Sequence, residues 1–114
     1  LKTMKQTMTK GTFIDAFLKN DTYKSNFSIR GLMVLYEYFE EYEDSTGEEI
    51  DFDMVAICCD YREYSSLEEY NNDYSKKYAH IDEIKNDTFL IPILKVNYDT
   101  LQMEESEKFI IQQY

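Results

Sequence analysis

The feature that most constrains this chain is a stripe of apolar residues between Ile29 and Phe39. Ile29, Leu32, Met33, Tyr36 and Phe39 recur at three- and four-residue steps, and Leu35, Tyr38 and Tyr42 widen the stripe. That period belongs to an α-helix with one buried face. Ser28 stands where an N-cap belongs, and Gly47 suits a left-handed stop after Asp44, so the spacing predicts a central helix over residues 29–44.

The remaining segments are shorter. Residues 2–10 read as a short strand or a frayed arm. Thr12 reads as the cap of a helix over Phe13–Lys19, with Phe13, Ile14 and Phe17 inward. Ile50–Cys59 reads as an interior strand, because Phe52, Met54, Ala56 and Cys58 alternate with Val55, Ile57 and Cys59. Ser65 or Ser66 caps a helix to about Tyr74, with Glu68 or Glu69 at capping-box spacing and Leu67, Tyr70 and Tyr74 inward. Residues 81–86 suit a helical turn. Thr88–Val96 reads as a strand that Pro92 pushes to a sheet edge or a bulge. Lys108–Tyr114 reads as a last strand, paired with the preceding one across a long Asn97–Glu107 connection.

The expected fold class is therefore α+β: a mixed or antiparallel sheet of about three or four strands packed with three or four helices in one pair of layers. The 114 residues are 43% hydrophobic and 16% aromatic, enough for one core, and no Pro/Gly/Ser-rich linker interrupts them, so a single domain is expected. No apolar run of about 18 residues could span a bilayer, and no apolar leader follows the N-terminus. The adjacent Cys58 and Cys59 suit no ordinary disulfide. A reducing cytoplasm is the expected compartment.

Chemistry-bearing motifs are few. His80 is the single histidine, which leaves no two-histidine metal site and reads best as a surface or capping residue. Cys58 and Cys59 read as core thiols and lack the CxxC spacing. Asp44–Asp53 brings oxygens around Gly47 but departs from a calcium loop at Thr46 and Glu48. No phosphate-binding loop, nucleophile elbow or zinc-helix motif occurs. No catalytic residue, metal or cofactor is expected, and binding is the expected work.

Charge carries the stronger signal. The formal net charge is -11, with balances of +4 over residues 1–36, -13 over 37–75 and -2 over 76–114. Such a block opposes direct binding to nucleic acid or to an anionic membrane. Glu37, Glu40, Glu41 and Asp44 fall at i, i+3, i+4 and i+7, on one helix face. Like charges so placed repel by a few tenths of a kcal/mol per pair. A solvated face usually relieves this with lysine, yet none occurs between Lys24 and Lys76. Glu48, Glu49, Asp51 and Asp53 follow in the turn, and Glu68, Glu69 and Asp73 on the next helix. Eight of the eleven tyrosines lie in or beside this segment, and Tyr38 and Tyr42 are the candidate anchors for arginine. The competing reading is a solubilising face without a partner, in which Glu68 and Glu69 serve a helix N-terminus.

Three stretches, GTFIDAF (11–17), AICCDYREYSSLEEYNNDY (56–74) and FIIQQY (109–114), resemble a family of small acidic proteins encoded by phages, prophages and plasmids, especially of Gram-positive bacteria. Its members are mostly of unassigned function, and no catalytic residues come with the resemblance. Genes of this kind often sit among anti-defence genes, so the resemblance implies an anti-CRISPR or anti-restriction inhibitor acting in the bacterial cytoplasm. Its expected partner is a protein with a basic nucleic-acid groove, such as a Cas9-type nuclease or a restriction enzyme. The basic N-terminal third departs from uniformly acidic DNA mimics and favours a one-sided inhibitory face. It also leaves open an accessory adaptor that self-associates, head-to-tail or as a two-fold homodimer, or bridges partners through its polarised charge. A third possibility is a small hydrolase or nuclease built on scattered carboxylates and a divalent metal.

Overall fold

The computed structural model describes residues 8–114. Among them are helices α1 (Lys10–Leu18), α2 (Ile29–Thr46) and α3 (Met54–Asp60), strand β1 (Tyr61–Tyr64) and helix α4 (Leu67–Tyr74). A 3-10 helix (Ile81–Asn86) and strands β2 (Leu90–Asn97) and β3 (Gln102–Gln112) follow. The fold is α+β, with an antiparallel three-stranded sheet in the order β1-β3-β2. Its contacts group residues into two compact units divided between Cys59 and Asp60. The strand or arm expected over residues 2–10 lies mostly outside the described residues.

The first unit is helical. α1 starts earlier than the sequence suggests: Thr9 is its cap, and Thr9 and Thr12 exchange backbone-to-hydroxyl bonds of 2.8 and 3.2 Å, so Thr12 completes a capping box. α2 matches its expected start, with Ser28 Oγ accepting from Gly31 N at 3.0 Å, and runs two residues further before Gly47 at φ 72° ends it. Phe13 and Phe17 of α1 are fully buried, lie 5.2 Å apart, and meet Tyr36, Phe27 and Phe52 at centroid distances of 5.4–6.2 Å. Such aromatic pairs each add roughly 0.5–1.5 kcal/mol beyond their burial.

The segment 50–59 corrects an expectation. It is no interior strand: α3 occupies Met54–Asp60. Asp53 Oδ1 accepts from Ala56 N at 3.0 Å, and Asp53 O accepts from Ile57 N at 3.0 Å, which is how an N-cap starts a helix. Met54, Ile57 and Cys58 then fall at i, i+3 and i+4 and are the less exposed residues, while Val55, Ala56 and Cys59 are exposed. A six-residue apolar run fits either period, and the cap decides between them.

The second unit holds the sheet. Tyr64, Tyr70, Ile84, Leu90, Phe109 and Ile111 form one buried cluster, with Leu67, Tyr74, Tyr78 and Ile81 packed on it. Tyr70 of α4 meets Tyr64 of β1 edge-on at 5.6 Å, and Tyr64 stacks on Phe109 at 5.7 Å. Ser66 caps α4 by accepting from Glu69 N at 3.3 Å. β2 lies at the sheet edge, and its register with β3 shifts between Pro92 and Leu94. Both consequences of Pro92 are therefore present, because a residue without an N–H donor is tolerated at an edge or beside a bulge.

β3 is longer than expected, and the long Asn97–Glu107 connection does not exist. Asn97 pairs with Gln102, and residues 98–101 make the hairpin loop. Asn97 Oδ1 accepts from Asp99 N at 2.9 Å and Thr100 N at 3.3 Å, and Leu101 N donates to Asn97 O at 2.7 Å. β1 is a further strand that the sequence pattern does not predict. Its four residues, Tyr61–Tyr64, pair with Phe109–Gln112.

Candidate functional site

α2 lays out the acidic row as its period requires. Glu37, Glu40, Glu41 and Asp44 are all exposed, and Leu32, Leu35, Tyr36 and Phe39 are buried on the opposite side. Glu48, Glu49 and Asp51 extend the exposed acids past Gly47. Tyr42 is 42% exposed beside them, whereas Tyr38 is half-buried and lies 5.6 Å from the Phe39 ring.

Part of this row has structural duties. Lys10 Nζ of α1 bonds Glu37 Oε2 at 2.9 Å. Asp53 caps α3. Glu43, absent from the expected row, is only 1% exposed, and its Oε2 accepts from Ile50 N at 2.6 Å. It sits four residues beyond Phe39 and seven beyond Tyr36, so the apolar stripe itself marks it as inward. Burial raises the Tyr36 hydroxyl above its ordinary value, with Glu40 and then Glu43 adding to the effect. That hydroxyl donates to Met8 O at 2.9 Å.

Glu68, Glu69 and Asp73 belong to the second unit. Asp73 Oδ2 accepts from Tyr64 Oη at 2.5 Å and from Arg62 Nη1 at 3.0 Å, so its charge is matched inside that unit. Arg62 also lies 4.8 Å from the centre of the Tyr64 ring. Glu69 Oε2 accepts from Ser65 Oγ at 3.1 Å at the start of α4, as the solubilising reading expects of a first-turn acid. Glu68 is exposed. Of the expected row, the exposed acids in the first unit are Glu37, Glu40, Glu41 and Asp44 on α2 and Glu48, Glu49, Asp51 and Asp53 after it.

Several tyrosines serve the interior. Tyr70 Oη donates to Asp87 Oδ2 at 3.2 Å and shares a hydrogen bond with the Tyr114 hydroxyl. Tyr78 Oη donates to the same Asp87 oxygen at 2.6 Å, and the Tyr74 and Tyr114 rings stack at 4.5 Å. Burial pushes the Tyr64 and Tyr70 hydroxyls well above their ordinary value, aided by Asp73 for the first and by Tyr114 and Asp87 for the second. Asp87 is held below the usual carboxylate range, chiefly by the Tyr78 hydroxyl, then by Tyr70, Lys76 and Tyr114, with burial opposing. This cluster is a stabilising network centred on Asp87.

His80 is a cap, its Nδ1 accepting from Asp82 N at 3.1 Å. Cys58 is half-buried and Cys59 exposed, and neither forms a disulfide. Burial, with the neighbouring Cys59 adding, outweighs the Asn26 hydrogen bond and raises the Cys58 thiol. Among the described residues no group of three His, Cys, Asp or Glu side chains converges to hold a metal. Among them also, no helix is long and apolar enough to cross a membrane. Of the basic groups in the first unit, Lys19 pairs with Asp15 at 2.7 Å and Lys24 with Asp21 at 3.4 Å.

The fold and charge define an acidic α+β protein with one anionic helix face. No protein-family model, curated protein or solved structure matches the chain.

Proposed function

We propose that the exposed face of α2, with the acids of the turn after it, binds a basic nucleic-acid groove of a partner protein and excludes the nucleic acid from it. The observation that carries this reading is axial charge density. Glu37 to Asp44 spans seven residue steps, roughly 10 Å of helix at 1.5 Å per residue. Four carboxylates across it, of which Glu37 is bonded to Lys10, stand about 3.5 Å apart along the axis, close to the roughly 3.4 Å per phosphate along one strand of duplex DNA. A groove whose arginines and lysines are spaced for a phosphate row therefore meets charges at a similar interval. Tyr42 offers an exposed ring for an arginine beside them.

The kind of target comes from the resemblance to phage- and plasmid-encoded acidic proteins. It points to an anti-CRISPR or anti-restriction inhibitor, with a Cas9-type nuclease or a restriction enzyme as partner. The self-associating adaptor has less support, because Lys10, Lys19 and Lys24 already lie against carboxylates of their own unit.

The test is inhibition of such a nuclease by the protein and by the triple variant Glu37→Lys/Glu40→Lys/Glu41→Lys, at rising salt. Each reversal removes one attractive contact and adds a repulsive one, so the triple variant should lose about a hundredfold or more in affinity. Inhibition by the unaltered protein should weaken steeply with salt. Inhibition that survives both the triple reversal and high salt would exclude the mechanism.

A further inference from the structure

β3 is the middle strand of the sheet over only part of its length. β1 pairs with Phe109–Gln112, while β2 pairs with β3 both there and over Gln102–Glu105. The chain leaves the lane of β1 after Tyr64, where Ser65 and Ser66 turn it into α4. Among the described residues, then, no strand covers the β1-side edge of β3 over residues 102–107. At about 3.4 Å per residue this is roughly 20 Å of strand edge. Its side chains are exposed except Ser106, which is half-buried.

A bulge fixes the geometry of this edge. Ile93 stands opposite Ser106, Glu107 and Lys108, between the pairs Pro92–Phe109 and Leu94–Glu105. Ser106 Oγ fills the interruption by donating to Ile93 O at 2.6 Å and accepting from Lys108 N at 3.1 Å. Such bulges bend a strand and often mark where its pairing changes.

The same edge borders a cleft of about 570 Å³. Glu105, Ser106 and Glu107 line one side, Ser66, Leu67 and Glu68 line another, and Ala79, His80 and Ile81 complete it. Three of these side chains are carboxylates, and none is a lysine or arginine.

We propose that this cleft receives an extended, lysine- or arginine-bearing segment of a partner protein, added as a strand beside Gln102–Glu107 in the lane that β1 vacates. Open strand edges recruit extended peptides through main-chain hydrogen bonds, and flanking pockets select alternate side chains. Glu104, Glu105 and Glu107 on the edge repel an acidic strand, including a second copy of the same edge, because like charges opposite each other destabilise a ladder. For a cationic strand the same residues become attractive, with Glu68 facing it across the cleft. Charge thus selects the occupant, and the edge fixes its conformation. The site lies in the second unit, so this inference stands apart from the reading of α2.

The experiment titrates the isotope-labelled protein with a short peptide that alternates lysine with valine and threonine, following backbone amide shifts and exchange. Amides of residues 102–107 should shift and gain protection. Methylating the peptide's alternate backbone nitrogens should abolish binding in one register and spare it in the other, since only one edge of the added strand faces β3. Glu105→Lys/Glu107→Lys, both exposed positions, should weaken binding roughly tenfold or more. Glu37→Lys/Glu40→Lys/Glu41→Lys should leave it unchanged. The proposal is overturned if shifts map to α2 instead, if both methylated peptides bind alike, if millimolar peptide produces no shift, or if the edge pairs with a second copy of the chain.

Discussion

Glu43 offers the sharpest test of how α2 is closed. Its carbonyl accepts from Gly47 N at 2.9 Å and its carboxylate from Ile50 N at 2.6 Å, so one residue ties down both ends of the turn after the helix. A hydrogen bond to a charged acceptor contributes about 1.5–3 kcal/mol, and truncation to alanine also removes one buried methylene at roughly 0.8 kcal/mol. Relief from holding a carboxylate out of water and the better helix propensity of alanine return part of this. Glu43→Ala should therefore cost about 2–3 kcal/mol. Glu43→Gln keeps the methylenes and an acceptor oxygen, and should cost about 1 kcal/mol or less. Glu43→Leu is the discriminating variant, because it preserves buried volume and removes only the acceptor. It should behave like alanine, and the Ile50 amide should exchange fast in both. Urea unfolding at constant m reads the difference as a midpoint shift of order 1 M. If Glu43→Leu matched or exceeded the parent in stability, the carboxylate would be a buried liability, and the argument for it as a clamp would be refuted.

Leu101 adopts φ 58° and is 79% exposed, so glycine there relieves left-handed strain without losing packing. Leu101→Gly should raise stability by about 0.5–1 kcal/mol in thermal unfolding, and a fall would show that the loop does not hold this conformation. The tyrosine cluster predicts opposite pH responses at the two ends of the scale. Asp87, lowered on folding, contributes stability above its unfolded value of about 3.9, and loses it as pH falls through its own lower value. Asp87→Asn should flatten the acid limb of a midpoint-against-pH curve. Tyr64 and Tyr70, raised on folding, contribute fully below about pH 10, and that contribution declines as pH rises toward their folded values. Tyr70→Phe should reduce the alkaline slope, and an unchanged slope would deny Tyr70 this role.

The elements legible in the sequence are those whose local signals agreed. α2 has a cap, a period and a glycine stop, and α4 has a serine cap followed by Glu69. Pro92 points to an edge or a bulge, and β2 has both. The failures came where tertiary pairing overrides local pattern. The QMEESE stretch of β3 has exposed side chains on both faces over most of its length, so it carries no alternation, and its extended form comes from pairing with β2. Asn97, which caps its own loop, was the available hairpin signal. YREY is too short to show a strand period. At 50–59 the apolar alternation on two faces mimics a covered strand, and Asp53 in capping position is the signal that it is a helix. For the candidate site, spacing correctly marked Glu37, Glu40, Glu41 and Asp44 as exposed on α2. Composition could not distinguish Asp73, matched by Arg62 and Tyr64, from an acid left to solvent.

The order of the strands has a consequence for biosynthesis. Tyr61 must wait for Gln112, about fifty residues downstream, before its ladder can form. While a ribosome extends the chain, Tyr61–Tyr64 and Leu90–Asn97 emerge without their shared neighbour, and the aromatic cluster around Phe109 stays incomplete until that residue arrives. Closure across so long a separation is entropically slow. The helical residues before Asp60 depend on shorter-range contacts and can condense first, so nascent-chain proteolysis should find them protected well before the sheet.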